Sequence, residues 1–263
     1  MSFPPAGCII GMSNFWERGK TAMRTIIWFI YFWGYLLLAL PKMKKAQRLA
    51  AAGELDARDA MVEPKIRSWA RSLLRLAGVK VEIAGLENIP REPVVFVPNH
   101  QSYFDIPVLL AWLDRPYPLV SKAEVKKIPL IRQWMELLGC IFIDRDNPRQ
   151  SVAALGEAAR TIVERQRSLI IFPEGTRSRG EELGEFKNGG FRAALKAGVP
   201  VVPVVIDGTY RVMEANHMWI KPAAVKVRVL EPIPTAGMSR EEAREIGPRV
   251  RDLIEAERAK GRE

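Results

Sequence analysis

Two side chains that carry much of enzyme chemistry are nearly missing from this chain of 263 residues, which has 2 histidines and 2 cysteines. Cys8 and Cys140 lie far apart with no second thiol beside either, which excludes a disulfide framework and a cysteine-built zinc site. A reducing compartment is therefore the default. Any mechanism that needs an imidazole base has only His100 and His217 to draw on. A glycine-rich nucleotide loop and a GxxxxGK[ST] run are also absent, which removes the usual sequence support for an NTPase. Acidic residues are in deficit, with 30 Asp+Glu against 40 Lys+Arg and a net charge of +10. That imbalance predicts an anionic partner, whether nucleic acid, a phosphate substrate or an acidic membrane surface. The bulk composition is ordinary, at 48% hydrophobic and 27% charged residues, and argues against both a disordered tail and a multi-span transporter.

The charge is concentrated. The first 75 residues hold 12 Lys+Arg and 5 Asp+Glu, a net of +7, and leave +3 for the rest. Within them Thr25 to Leu40 runs TIIWFIYFWGYLLLAL without a charge, between Arg18, Lys20 and Arg24 on one side and Lys42, Lys44, Lys45 and Arg48 on the other. Sixteen helical residues reach roughly 24 Å, short of a hydrocarbon core of about 30 Å. The run is nevertheless too apolar and aromatic for an ordinary surface helix, and we expect it to be membrane-embedded. Trp16, Trp28, Tyr31, Trp33 and Tyr35 suit the headgroup level, and the flanking cations suit anionic lipid. The alternative is a buried core helix. A cationic PKMKKAQR follows where a signal-peptide cleavage site would stand, so the segment is expected to stay attached.

From Asp56 to Leu76, Met61, Ile66, Trp69, Leu73 and Leu76 recur at helical intervals before Gly78, a C-cap residue, with Pro64 expected to kink the helix or start it afresh. This helix either docks on the membrane beside the first or packs on the core of the rest of the chain. After Gly78 short β-branched runs (VKVEIAG, VVFVPN, PLVSK, CIFID, SLIIFP, VPVVPVVI, VKVRVLEP) alternate with helical stretches at 104–113, 130–138, 151–165 and 191–197. That alternation predicts an α/β fold, a mostly parallel or mixed sheet flanked by helices behind an N-terminal helical membrane-docking segment. The expected units are 1–77, membrane-associated helices; 78–236, the α/β domain; and 237–263, a charged, solvent-facing helix that opens with a Ser239 capping box and is interrupted by Pro248.

The chemistry clusters at strand ends, where sites collect in open α/β sheets. Asn99-His100-Gln101-Ser102-Tyr103-Phe104-Asp105 follows one strand. Five helical residues turn through about 500°, leaving two side chains roughly 140° apart, so His100 and Asp105 can meet only across a turn that enters a helix. Ser102 is the candidate cap of that helix. In such a turn Asp105 fixes the imidazole tautomer and leaves the other nitrogen free to take a proton from a hydroxyl. Ser102-x-x-Asp105 would equally serve as a capping box without catalysis. A second edge carries Phe172-Pro173-Glu174-Gly175-Thr176-Arg177-Ser178, and a third carries Gly139 to Arg145. Arg145 and Arg177, with Lys122 of a further strand, are cations suited to clamping a phosphate. His217 lacks an acidic partner at a telling spacing, and Cys140 sits inside an apolar strand.

Asn-His-Gln-Ser-x-x-Asp, Gly-x-Ile-Phe-Ile-Asp-Arg, Phe-Pro-Glu-Gly-Thr-Arg-Ser and Val199-Pro200-Val201-Val202-Pro203-Val204, in this order, resemble the four acyltransferase blocks of the lysophosphatidic acid acyltransferase family, over about residues 78 to 210. The resemblance implies transfer of a fatty acyl group from a thioester, coenzyme A or acyl carrier protein, to the free hydroxyl of lysophosphatidic acid, giving phosphatidic acid. It implies His100 as general base with Asp105 as its orienter, and Glu174, Gly175 and Arg177 with Arg145 as the holders of the glycerol phosphate. Lys122 is added for its position, Thr176 as an aid in orienting the acceptor, and Pro203 as a shaper of the acyl or donor side. No metal or redox cofactor is expected, since a thioester is already activated. The expected partners are membrane lipids, the thioester donor and lysophosphatidic acid, not nucleic acid, and the expected place is the membrane with the cleft facing the cytoplasm. The alternatives are the same chemistry on glycerol 3-phosphate, another lysophospholipid or a lyso-aminolipid, or a silent lipid-binding scaffold.

Overall fold

A computed structural model describes residues 6–260, with side chains from residue 19 onward apart from Pro148. Cys8, Trp16 and Arg18 therefore lie outside the described side chains. Three helices come first, α1 (Ala6–Leu38), α2 (Leu40–Ala51) and α3 (Leu55–Ala77). Gly78 ends α3 in the left-handed conformation, φ 76°, with its N–H on the carbonyls of Leu74 and Arg75. The fresh start expected at Pro64 does not occur, because α3 carries the proline inside one continuous helix. Val62, Ile66, Ala70 and Leu73, all buried on either side of it, hold the helix to the core against the loss of one backbone bond.

Seven short strands follow, β1 (Lys80–Ala84), β2 (Val95–Pro98), β3 (Val120–Lys122), β4 (Ile141–Ile143), β5 (Leu169–Ile170), β6 (Val201–Asp207) and β7 (Ala224–Val229), each falling on one of the β-branched runs to within one residue. Five form a sheet in the order β1-β7-β6-β2-β5, and β3 pairs with β4 beside it through a bridge from Leu119 to Ile170. Pairing is parallel throughout except between β6 and β7, so the sheet is mixed. β2, β5, β6, β3 and β4 therefore present their carboxyl ends along one edge. The helices between them are α4 (Asp105–Trp112), α5 (Ile131–Leu138), α6 (Pro148–Arg165) and α7 (Arg192–Ala197), with α8 (Arg240–Lys260) last. α6 starts three residues before the expected Ser151, because Asn147 caps it, accepting from the Gln150 N–H, and Pro148 takes the first turn.

Strand alternation sorts the core into two layers. Phe96, Val202, Val204 and Ile206 pack with residues of α1 to α5, whereas Val95, Val97, Val201 and Val205 pack with α6, α7 and α8. The apolar cluster of the first layer runs without a break across the boundary expected at residue 78. The tail faces solvent on one side only: Ile246, Val250 and Ile254 of α8 are buried on the other, and the helix runs on through Pro248 rather than being interrupted there. Ser239 and Glu242 do form the expected capping box, each accepting from the other's backbone N–H.

The α1 helix is divided lengthwise. Thr21, Thr25, Trp28 and Leu36 face inward, the Trp28 indole donating to the Leu73 carbonyl at 3.0 Å and its ring lying 5.5 Å from Phe104. Met23, Ile26, Ile27, Phe29, Ile30, Trp33, Leu37 and Leu38 face out. The stretch Gly19–Leu38 is long and apolar enough to cross a membrane. Removing the inward ring by Trp28→Ala should cost about 3–5 kcal/mol through the cavity and the lost partner of Leu73. Ile30→Ala, on a residue 68% exposed, should stay within about 0.5 kcal/mol. Thermal unfolding of both variants in detergent checks the contrast.

Candidate active site

The parallel strands bring the three quoted segments to one sheet edge. Asn99, directly after β2, ties that strand to β6, donating to the Ile206 carbonyl at 2.9 Å and accepting from the Ile206 N–H at 2.8 Å. The chain then turns into α4, and across this turn His100 Nδ1 lies 2.7 Å from Asp105 Oδ2. The same Oδ2 accepts from the N–H groups of Gln101 at 2.7 Å and Ser102 at 2.9 Å, and Oδ1 accepts from the Thr209 hydroxyl. Asp105 is 0% exposed, so this set of donors replaces the water it lost, and the N-terminal end of α4 adds its positive pole. An oxygen that accepts two backbone N–H bonds acts as carboxylate, which leaves the proton of a neutral imidazole on Nδ1. Nε2 then offers a lone pair and has no protein partner among the described residues. Ser102 is not the helix cap itself; its hydroxyl accepts from the Phe104 N–H at 3.0 Å inside the turn. One Asp105 oxygen thus closes the turn and orients the imidazole.

Glu174 stands against the other side of His100. Its Oε1 accepts from the His100 N–H at 2.6 Å and its Oε2 from the Gly184 N–H at 3.0 Å, while the His100 carbonyl accepts from the Ser178 N–H at 2.8 Å. Phe172 stacks on the imidazole, with ring centroids 4.0 Å apart. Burial pushes the Glu174 carboxyl above its ordinary range, with the two backbone donors opposing the shift. Both oxygens being engaged, Glu174 braces the histidine backbone rather than standing open to a ligand. Gly184 cannot be replaced cheaply, since a Cβ there would lie 2.7 Å from Oε2.

The cations do not all converge. Gly175 takes a left-handed turn, φ 73°, and a side chain on it would come within 3.9 Å of the Arg145 guanidinium, so Arg145 and the third segment adjoin. The Arg177 guanidinium carbon lies over the Tyr103 ring, 3.4 Å from its centroid, and Arg177 donates to Glu214 Oε1 at 2.9 Å. Lys122 instead pairs with Glu124 at 2.5 Å on the exposed face of the β3–β4 pair, a bond that holds its ammonium above the ordinary lysine range. Thr176 is exposed beside them. Pro203, expected on the acyl or donor side of the cleft, is buried in β6 opposite Val97 and reaches the site only through the sheet. Cys140 is buried, and burial pushes its thiol up to about 12. His217 is exposed in a left-handed turn at φ 51°. Among the described residues no cluster of three His, Cys, Asp or Glu side chains could hold a metal ion.

Sequence reasoning missed Thr209 and Glu214, which come to the site from 104 and 112 positions along the chain from Asp105 and Ser102. The one local signal was Gly208, whose φ of 94° turns the chain after β6; a Cβ there would strike the Ala224 carbonyl at 2.5 Å.

Because the folded Glu174 carboxyl titrates above the unfolded one, the folded state binds the extra proton in the window between them, and stability falls as pH rises from about 4.5 through the raised value. Wild type should therefore gain stability relative to Glu174→Gln as pH is lowered through that window. Denaturant unfolding of the two proteins at a series of pH values measures it.

Comparison with known proteins fits this geometry. Residues 80–207 match the family model described as Acyltransferase. The 1-acyl-sn-glycerol-3-phosphate acyltransferase of Haemophilus influenzae is 32% identical over 196 residues, 72% of this chain and 79% of that protein. The proteins of that name from Saccharomyces cerevisiae and, chloroplastic, from Brassica napus are 31% and 40% identical over 68% and 59% of this chain. The chain spans only 60% and 45% of the lengths of those two relatives. The crystal structure of the 1-acyl-sn-glycerophosphate (LPA) acyltransferase PlsC from Thermotoga maritima superposes with a TM-score of 0.69 at 27% identity, covering 89% of this chain and 95% of that one. With three of its segments gathered on one sheet edge, the fourth running into β6 and a relative of 32% identity covered over 79% of its length, the chain belongs to the 1-acyl-sn-glycerol-3-phosphate acyltransferase family.

Proposed function

We propose that this chain moves a fatty acyl group from a coenzyme A or acyl carrier protein thioester to the free hydroxyl of lysophosphatidic acid, giving phosphatidic acid at a membrane surface. The observation that carries the reading is the His100 imidazole, pinned through Nδ1 to a buried carboxylate while Nε2 stands free at the sheet edge. In the reaction Nε2 takes the hydroxyl proton as the acceptor oxygen bonds to the thioester carbon. The tetrahedral intermediate then expels the thiolate, which receives the proton back from Nε2. Asp105 stays ionised and stabilises the imidazolium that forms between these steps. Arg145, next to Gly175, and Arg177, next to Tyr103, supply guanidinium donors to the acceptor phosphate, and holding it there turns the encounter into a near-unimolecular one.

The lipid nature of acceptor and product motivates the membrane half of the reading. The inward face of α1 packs on its own protein, so we assign the helix a place lying in the interface, its outward face in the acyl layer, rather than a crossing. Exposed Lys42, Lys44, Lys45 and Arg48 follow it and suit anionic headgroups. Met218 and Trp219, each 45% exposed, stand close to α1, since the N–H of Ile220 next to them donates to the Thr25 hydroxyl at 2.9 Å. Thioester donors are made in the cytosol, which puts the cleft on the cytoplasmic leaflet.

With oleoyl-coenzyme A as donor and lysophosphatidic acid as acceptor, thiol release should depend on the acceptor and fall by about 10²–10⁴-fold in His100→Ala. Equal release by both proteins would remove His100 from the role of base. Ile27→Asp with Ile30→Asp, on the outward face of α1, should shift the protein from sedimenting vesicles to the supernatant at unchanged melting temperature. Retention on the vesicles would refute the interfacial placement.

A further inference from the structure

Glu214 lies outside all four segments that the family resemblance brought forward, yet it joins two of them. Its side chain is 3% exposed. Oε1 accepts from the Arg177 guanidinium at 2.9 Å and from the Tyr103 N–H at 2.9 Å, and Oε2 accepts from the Ser102 hydroxyl at 2.6 Å. Ser102 and Tyr103 belong to the turn whose Gln101 and Ser102 N–H groups hold Asp105. One carboxylate thus fixes Arg177 to the backbone that carries the general base. The Tyr103 ring supports the guanidinium from one side, its centroid 3.4 Å from the guanidinium carbon. Only one end of the fork is used, and Nη2 and Nε have no protein acceptor among the described residues.

We propose that Glu214 is the positioning residue of the acceptor-phosphate site: it holds Arg177 with two guanidinium donors aimed into the cleft, and so sets the preference for a phosphorylated over a neutral acceptor. The proposal rests on the acyltransfer reading above. A free arginine samples many rotamers and must be ordered by the ligand itself; an arginine already bonded and stacked meets the phosphate with that ordering done. The negative charge of Glu214 does not repel the phosphate outright, because it is spread over an ion pair, a backbone N–H and a hydroxyl. The opposite role is also physically defined. A carboxylate that occupies the guanidinium in place of phosphate would compete with the acceptor, and its removal would tighten binding. The two roles predict changes of opposite sign.

The test uses the full chain in mixed detergent–lipid micelles, with oleoyl-coenzyme A as donor and either 1-oleoyl-lysophosphatidic acid or 1-oleoylglycerol as acceptor. Glu214→Ala should raise KM for lysophosphatidic acid at least tenfold, leave KM for oleoyl-coenzyme A unchanged and erase the preference over 1-oleoylglycerol. Glu214→Gln, which keeps an oxygen for Arg177 and the Tyr103 N–H, should recover most of that preference. Arg177→Ala and the double variant should behave alike, since Glu214 acts through Arg177. A KM for lysophosphatidic acid that is unchanged or lower in Glu214→Ala would overturn the proposal, as would independent, multiplying effects of the two substitutions. Should Glu214→Ala fail to fold, Glu214→Asp, one methylene short of Arg177, carries the same comparison. Wild type that acylates neither acceptor would instead overturn the acyltransfer reading, and the proposal with it.

Discussion

A carboxylate buried at 0% exposure is the constraint around which the site is arranged. Asp105 has lost its water and can stay charged only if the fold supplies donors in its place, and breaking such a set leaves an uncompensated buried charge. Two donors are backbone N–H groups of the turn it closes, the third is His100, and the fourth is Thr209 from beyond β6. To bring that hydroxyl into place, β6 must lie beside β2, and the Asn99 amide paired with both backbone groups of Ile206 fixes the two strand ends in register. The orientation of the imidazole is thus a consequence of sheet order, not of the local turn alone.

The chain from Thr209 to Ile220 carries this dependence outward. It begins under Asp105, passes Glu214 at the Arg177 guanidinium, and ends with the Ile220 N–H on Thr25 of α1. Within twelve residues it therefore touches the carboxylate paired with His100, the Arg177 guanidinium and the apolar helix. Trp28, on the same inward face of α1, packs against Phe104, the residue before Asp105. The helix that offers its other face to the surroundings is in this way packed directly on the histidine turn, and the apolar platform and the sheet edge hold fixed positions relative to each other.

Much of this was legible. The seven β-branched runs each hold a strand to within one residue, Gly78 and the Ser239 box end and begin helices as their chemistry requires, and a five-residue spacing that no straight helix could close announced a turn between His100 and Asp105. Pro248 misled, as did the fresh start that was one of two readings of Pro64, because local propensity assigns a proline to a break, and burial of the residues around it outweighs the one missing hydrogen bond. The cations were legible only in part. Charge at strand ends points to Lys122, Arg145 and Arg177 converging, but a cation takes the nearest carboxylate the fold provides, Glu124 for Lys122 and Glu214 for Arg177.

By itself the sequence determined the element types, the strand-end clustering of reactive residues and the uneven charge, because each rests on periodicity or spacing within about twenty residues. Only the tertiary structure decided which face of α1 is inward, since both faces are apolar and no moment separates them. Only it decided that Thr209 and Glu214 complete the site, since a buried polar group is satisfied by whichever partner strand order brings within 3 Å, and nothing local records that partner a hundred residues away.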